Sequence, residues 1–517
     1  MISRLRQVLH MNDLKKNLCI GVWIALFCML AVLSFSKFGF SSSPEEQAVL
    51  TISLKDAIPM ALENNHALKV EQLTPSIRKT YEEEKESLFD PVLSLEATHS
   101  VEKSHQTSQT TGAITSTTDK ETGAGVGISK LFPTGTNVDL ELYEWTDFYG
   151  DQHTSRTGLT VTQALLKGAG VKVNSVSIDQ ARLDTFLSRY ELQSFTETLV
   201  SEVEQTYWDF ALAHGQIEIF TESLRLAEQQ MKETEERIQV GTLAQTEFAA
   251  AQAEVALRRE NLINARSDCA KIHLNLLRLI NPPGANLWDT KIVLSDHPMV
   301  PTVSLDTIDA HVEVALRCRP DLNQARLEEQ KGNLEVVKTK NGLLPRLDFF
   351  ITLGRTGYSD SFSGSVKDID KDGYDILAGL TLEYPFGRRD AKARHTRALL
   401  SQNQAEMAVR NLEQLAQIDV RTAYIEVIRS QEQVTATAAT RRLQEEKLRA
   451  ETEKFKVGKS TTLLVAQTQR DMVAGRISEL KAIVSYLKAL VQLYRLEGSL
   501  LDRRGISSPM AATTNPL

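Results

Sequence analysis

The 517-residue sequence predicts a mainly α-helical fold carrying a membrane β-barrel, built from two copies of one structural unit. Three observations predict it. Val203 to Leu279 lies on Val420 to Leu496 at a constant offset of 217 positions, with Tyr207 on Tyr424, Leu226 on Leu443 and Gln252 on Gln469. Gap-free self-similarity of that length marks a duplicated unit. The hydrophobic period changes from helical to alternating after Pro91 and again after Pro345. Beyond an apolar leader no stretch is long enough to span a bilayer as a helix, so a mature chain that crosses a membrane does so by closed β-structure.

Composition agrees. Aromatic residues make up 6% and charged residues 24%, which suits long solvated helices better than one large core. The net charge is -8, and the leader holds Arg4, Arg6, Lys15 and Lys16 against Asp13, leaving the remainder near -11. That balance disfavours nucleic acid as a partner. Lys15 and Lys16 precede an uncharged run from Leu18 to Phe35, the pattern of a secretory signal over residues 1–36; an uncleaved anchor is the lesser reading. Neither Leu18-Cys19 nor Phe27-Cys28 offers the small residue that lipid attachment needs. Cys269 falls on a seven-residue seam with Val255, Leu262 and Leu276, where a small apolar side chain is expected, and Cys318 lies at a helix end.

The first repeat, residues 37–280, opens with an amphipathic helix over Ser53–Leu68. Its copy in the second repeat, residues 304–501, is Ser304–Leu322, and the shared offset of 254 also puts Pro91 on Pro345. Proline stops a helix and can begin a strand. Leu93, Leu95 and Ala97 then alternate with Ser94, Glu96 and Thr98, and Leu347, Phe349, Ile351 and Leu353 repeat the pattern. Returning strands are expected at Gly158–Leu165 and Gly379–Phe386, equivalent at an offset of 221, so the first repeat carries 33 additional residues. These include a hairpin, Val126–Leu131 and Thr136–Trp145, turning at Phe132-Pro133-Thr134-Gly135; its place inside or beside a barrel stays open. Flanking aromatics (Phe132, Tyr143, Trp145, Phe148, Tyr149, Tyr358, Phe362, Tyr384, Phe386) fit lipid-facing strands with interfacial girdles. Ser100–Gly123 and Gly354–Gly373 are polar enough to be exposed loops.

Long helices follow. Asn174–Val240 holds no proline and one glycine, Gly215, allowing a rod on the order of 100 Å. Arg388–Val457 is comparable, and Phe220, Leu224, Ala227, Met231, Thr234 and Ile238 trace a coiled-coil seam. Each rod ends at a Val-Gly turn, Val240-Gly241 and Val457-Gly458, where glycine permits a tight reversal. A Pro-rich linker, 281–303, joins the repeats, and 502–517 reads as a disordered tail.

Nothing in the chain supports an enzyme or a cofactor. Gly123-x-Gly125-x-Gly127 leads into a strand rather than the helix N-terminus that cradles phosphate. Asp368, Asp370 and Asp372 match half of a calcium loop but lack its twelfth-position carboxylate, where Gly379 stands; they read as a solvated turn and a weak metal candidate. Tyr207-Trp208 and Tyr424 read as packing anchors.

Two halves, each with an Ala-Leu helix, a helix-to-strand proline, a Gly-Leu-Thr strand, a very long helix and a Val-Gly turn, resemble the TolC family of outer-membrane efflux proteins from about Leu50 to Leu501. The resemblance implies duplicated long helical hairpins forming a periplasmic α-barrel, plus a trimeric outer-membrane β-barrel to which each subunit gives four strands. It implies a passive exit duct of a tripartite efflux or type I secretion system in a Gram-negative outer membrane. The partners are a periplasmic adaptor (membrane fusion protein) and an inner-membrane transporter. The alternative is a periplasmic coiled-coil adaptor or scaffold. In the family the Val-Gly turns form the periplasmic tip, which contacts the adaptor and acts as the gate. Glu247 matches an acidic residue beyond the first turn, where a carboxylate also suits a helix N-terminus. Beyond the second turn, two pore-constricting acids align with Leu464 and Gln467, and a gate arginine aligns with Ser460. A salt-bridged gate is therefore in doubt, and Leu464 suits an apolar constriction.

Overall fold

The computed structural model describes residues 49–107, 110, 112, 114–147, 152–284, 287–301, 305–371 and 373–507. The expected signal segment, Phe148, Tyr149 and Asp372 lie outside them. Two compact units are present. The main one comprises Thr51–Trp288 and Ile292–Leu517; among the described residues the other holds only Val49, Leu50 and Asp289–Lys291.

The first repeat runs through β1 (Val49–Ile52), α1 (Leu54–Asn64), α2 (His66–Glu71), α3 (Thr74–Glu86), β2 (Val92–Thr107), β3 (Ile114–Leu131), β4 (Thr136–Asp147) and β5 (Gln152–Ala164). It continues with α4 (Val171–Asn174), α5 (Val176–Gln239) and α6 (Thr246–Ile280). The second has β6 (Lys291–Leu294), α7 (Ile308–Cys318), α8 (Pro320–Asn341), β7 (Arg346–Ser359), α9 (Phe362–Asp368) and β8 (Tyr374–Glu383), then α10 (Arg389–Lys456), α11 (Thr462–Leu496) and α12 (Leu500–Arg503). The linker is partly ordered, since β6 pairs with β1. The chain stays folded past 501, through α12 and Arg504, so an expected tail from residue 502 is shortened at its start.

With 64 and 68 residues, α5 and α10 are rods of about 96 and 102 Å at 1.5 Å per residue. Near the strands α3, α5, α8 and α10 lie side by side; farther away α6 and α11 pack back on α5 and α10, and α11 also lies against α5. Gly215 explains the last contact, because a Cβ there would stand 2.5 Å from a Leu480 methyl. Tyr207, Phe210, Leu276, Leu277, Leu279, Tyr486 and Leu493 are all essentially buried, each large apolar side chain contributing roughly 1.5–3 kcal/mol. The Tyr207 hydroxyl donates to Asp296 at 3.0 Å, which also accepts the Leu54 amide at 2.7 Å, so this anchor ties α5 to the linker and to α1.

The core also holds charge. Glu204, fully buried, accepts a two-pronged 2.6 Å contact from Arg504. Buried Glu197 takes one hydrogen bond from Gln193, and burial pushes its carboxyl up to about 7. Cys269 is a buried free thiol and Cys318 is free.

Apart from β1 and β6, the strands among the described residues form one antiparallel sheet in the order β2-β3-β4-β5-β7-β8. The sheet thus has six strands, where the resemblance gives a shared barrel four from each subunit. The additional hairpin, β3–β4, sits between β2 and β5, and their backbone bonds run to it. The segment expected as a loop at Ser100–Gly123 is largely strand, Thr98–Thr107 pairing with Ile114–Gly123 as a polar ribbon. In-register pairing aligns Leu93, Ile128, Leu140, Leu159, Leu353 and Ile376 in one row across all six strands. With Leu95, Val126, Phe349, Leu380 and Leu382 they make an exposed apolar face. The opposite face carries Ser94, Glu96, Asp139, Glu141, Thr160 and Thr352, the alternation of a sheet between lipid and water. On that face Gly125 lies beneath the Tyr143 ring, where an added Cβ would come within 2.7 Å of a ring carbon. The Gly123-Gly125-Gly127 series is thus a strand surface that accepts an aromatic.

Candidate functional site at the two helix turns

Both rods end in the same backbone device. Gly241 has φ +77° and Gly458 φ +76°, a region costly for any side chain. The Gly241 amide bonds the Ile238 carbonyl and the Thr242 amide the Arg237 carbonyl, each at 2.9 Å. Gly458 and Lys459 do the same to Phe455 and Lys454 at 3.1 and 2.8 Å. These paired bonds satisfy the last carbonyls of each helix in a Schellman motif. Val240 and Val457 are left projecting, 76% and 69% exposed.

Side chains around the turns differ. On the first, the Thr242 hydroxyl adds a 2.8 Å bond to the Arg237 carbonyl, and α6 begins without a side-chain cap. On the second, Thr461 caps α11 by accepting the Leu464 amide at 3.3 Å, and the Ser460 hydroxyl donates to Glu451 of α10. Ser460, where the resemblance places a gate arginine, is bonded within its own hairpin. Its hydroxyl, and then the Lys454 ammonium at 3.1 Å, hold the Glu451 carboxyl below the usual glutamate range.

Glu247, in the first turn of α6, faces a groove between the hairpins whose far wall is Thr462, Leu463 and Ala466 of α11. Within that groove Gln230 Nε2 and Thr462 Oγ1 are buried without hydrogen-bond partners. Leu464 and Gln467, three residues apart on α11, are exposed and turn away from this groove. The structure therefore does not bring Glu247 together with Leu464 and Gln467. The two hairpins are instead joined by the Arg237 guanidinium, 4.6 Å from the Phe455 ring centre, and by the ion pair of Glu254 with Arg470 at 3.4 Å, Glu254 also pairing in its own helix with Arg258. Sequence reasoning missed Glu451, Phe455 and Glu254. Their spacing offered one signal: Glu451 and Ser460 bracket a Val-Gly turn and so lie on adjoining ends of a hairpin.

The acidic turn also has a defined place. Asp368 ends α9, where it accepts the Tyr358 amide at 3.1 Å and pairs with Lys371, which holds it below the usual aspartate range. Asp370 is exposed, 3.5 Å from Arg355.

Comparison with known proteins agrees with this architecture. The sequence pattern of the family described as Outer membrane efflux protein matches residues 57–281 and 312–499. The pyoverdine export outer membrane protein OpmQ of Pseudomonas putida is 24% identical over 330 residues, covering 62% of this chain and 66% of that protein, just under two thirds of its length. The MtrE outer membrane channel of Neisseria gonorrhoeae, solved in its open state, superposes with a TM-score of 0.62 at 18% identity, over 86% of this chain and 89% of MtrE. The outer membrane protein VceC of Vibrio cholerae gives 0.64 at 14% identity, over 86% and 96%. A match over both repeats sets the adaptor alternative aside: the chain belongs to the outer membrane efflux protein family.

Proposed function

We propose that three copies of this chain assemble into the exit duct of a tripartite efflux or type I secretion system. An inner-membrane transporter supplies the energy and a periplasmic adaptor docks on the helix turns. The observation that carries the reading is the mismatch between equivalent positions. Leu327 of α8 is buried, whereas its copy in the first repeat, Leu73, is 60% exposed beside exposed Ile77 and Tyr81. Along α10, Leu399, Leu400, Met407, Leu415 and Ile418 are likewise uncovered. One repeat satisfies within the chain what the other leaves to a neighbour, the signature of a ring closed by copies in head-to-tail contact. The residue assignments rest on the same reading: Val240, Gly241, Val457 and Gly458 form the tip, Glu247 faces the groove between hairpins, and Leu464 and Gln467 face the pore beside Ser460.

Detergent extraction should yield a species of three chain masses that dissociates on heating; release into the soluble periplasmic fraction would sink the proposal. For the tip, Leu464→Ser should raise leak conductance in planar bilayers, and an unchanged leak would remove Leu464 from the gate.

A further inference from the structure

We propose that the shared barrel takes six strands from each copy, the β3–β4 hairpin included, with the free edge of β8 pairing to the free edge of β2 in the next copy, eighteen strands in all. The proposal rests on the trimeric outer-membrane reading above. Its own ground is the sheet. β2 and β8 are the two ends of the strand order, so among the described residues each leaves one edge unpaired. An open edge is not tolerated in hydrocarbon, and six strands are too few to close alone, so the occupant of each edge is a strand of another copy.

The hairpin belongs to the membrane wall for two reasons. Without it β2 would lose the partner it has along its whole length, and β5, still paired with β7, would be left with an open edge on its other side. In addition, Ile128 and Leu140 occupy the same apolar row as Leu159, Leu353 and Ile376, and both are nearly half exposed. A hairpin swung into the lumen or out into water would place this row in water.

The dimensions agree. With strands about 4.8 Å apart and tilted about 40°, six strands span an arc of roughly 38 Å and four only about 25 Å. The adjoining layer of four helices, α3, α5, α8 and α10, spans about 32–40 Å at 8–10 Å per helix. Six strands continue that wall without a step. Closed by three copies, the barrel is about 36 Å across between backbones, against about 24 Å for twelve strands. The barrel is then not the narrow part of the duct, and size selection falls to the helix turns.

The test uses the full-length trimer in liposomes, with Cys269→Ser and Cys318→Ser removing background thiols. A bimane label is placed at Ile128→Cys or Leu140→Cys, with Leu353→Cys and Leu380→Cys as references, and quenching by brominated lipid is measured. Comparable quenching at all four positions is expected. Quenching at Leu353 and Leu380 alone, with Ile128 and Leu140 open to a membrane-impermeant thiol reagent, would overturn the proposal and leave the channel reading standing. No quenching anywhere would overturn both. A second measurement pairs Ser94→Cys, Glu96→Cys or Thr98→Cys with Leu377→Cys or Thr381→Cys. At least one pair should cross-link to a closed species of three chains. A closed species of two chains, or a cross-link between Glu96→Cys and Thr160→Cys, would overturn it, because the latter puts β2 directly against β5.

Discussion

The two repeats share a backbone and differ in what their side chains hold. Both rods reverse at a glycine of nearly identical φ, through the same pair of amide-to-carbonyl bonds. The second turn is tied to its own rod by the side-chain pair Ser460 and Glu451, the first by the Thr242 hydroxyl on a backbone carbonyl; the residue equivalent to Glu451 is Thr234, whose hydroxyl bonds its own helix at Gln230. Near the middle of the rods the contrast reverses. Glu204 of the first repeat is buried and paired with Arg504, whereas its counterpart, Arg421, makes a solvated 3.0 Å contact with Asp309. Duplication preserved the positions where the backbone has no alternative. It released those where one copy faces the interior of the chain and the other the outside.

This contrast can be tested from its strongest point downward. Arg504→Ala strands a buried carboxylate and should cost about 3–5 kcal/mol in denaturant unfolding of the solubilised protein, while Asp309→Ala at the equivalent pair should cost no more than ~0.5 kcal/mol. Equal costs would erase the distinction between the repeats.

Glu197 comes next, its counterpart being Gln414. A carboxyl whose folded value is raised binds its proton more tightly folded than unfolded. Stability is therefore full at acid pH, declines from the unfolded glutamate value near ~4.3, and levels off above about 7. Glu197→Gln should flatten that decline and add roughly 3–4 kcal/mol at pH 8; a pH profile unchanged by the substitution would show that Glu197 is not the group responsible.

Gly215→Leu should drive α11 off α5 through Leu480, costing ~1–3 kcal/mol, while Glu432→Leu at the equivalent position of α10 should be near neutral. Ser460→Ala is the smallest change. Because Glu451 is held below the usual range, its contribution is present at neutral pH and is lost as pH falls through that lowered value. Hydrogen exchange at the second turn should thus accelerate in acid in the parent protein and less so in Ser460→Ala, with the first turn unaffected in both.

Much of this was legible in the sequence because repetition supplied a second reading of each signal. The rods were located within a few residues, and the prolines before β2 and β7 and the glycines of both turns occupy the expected places. The strand count was not legible. Alternation at Val138, Leu140 and Leu142 shows that β4 exists, but strand order depends on contacts that no local pattern records. The ribbon of Thr98–Thr107 and Ile114–Gly123 read as loop because a two-stranded element wet on both faces has no apolar alternation to betray it. The burial of Glu197 and Glu204 had no signal in the sequence: Gln193 lies one helical turn before Glu197, a spacing equally common on solvated faces, and Arg504 is 300 positions from Glu204. The residues of each Val-Gly turn form the expected reversal, yet Glu247 is separated from Leu464 and Gln467 by the rotation of α11, which only the packing of the hairpins sets.

The ribbon has a practical consequence. It rises from the end of the sheet opposite the helices and is hydrogen-bonded within itself, so the chain between Thr107 and Ile114 is a place where foreign sequence can be carried without disturbing the wall below. An epitope inserted there would be stained by antibody on intact cells, turning this part of the molecule into a reporter of its own orientation.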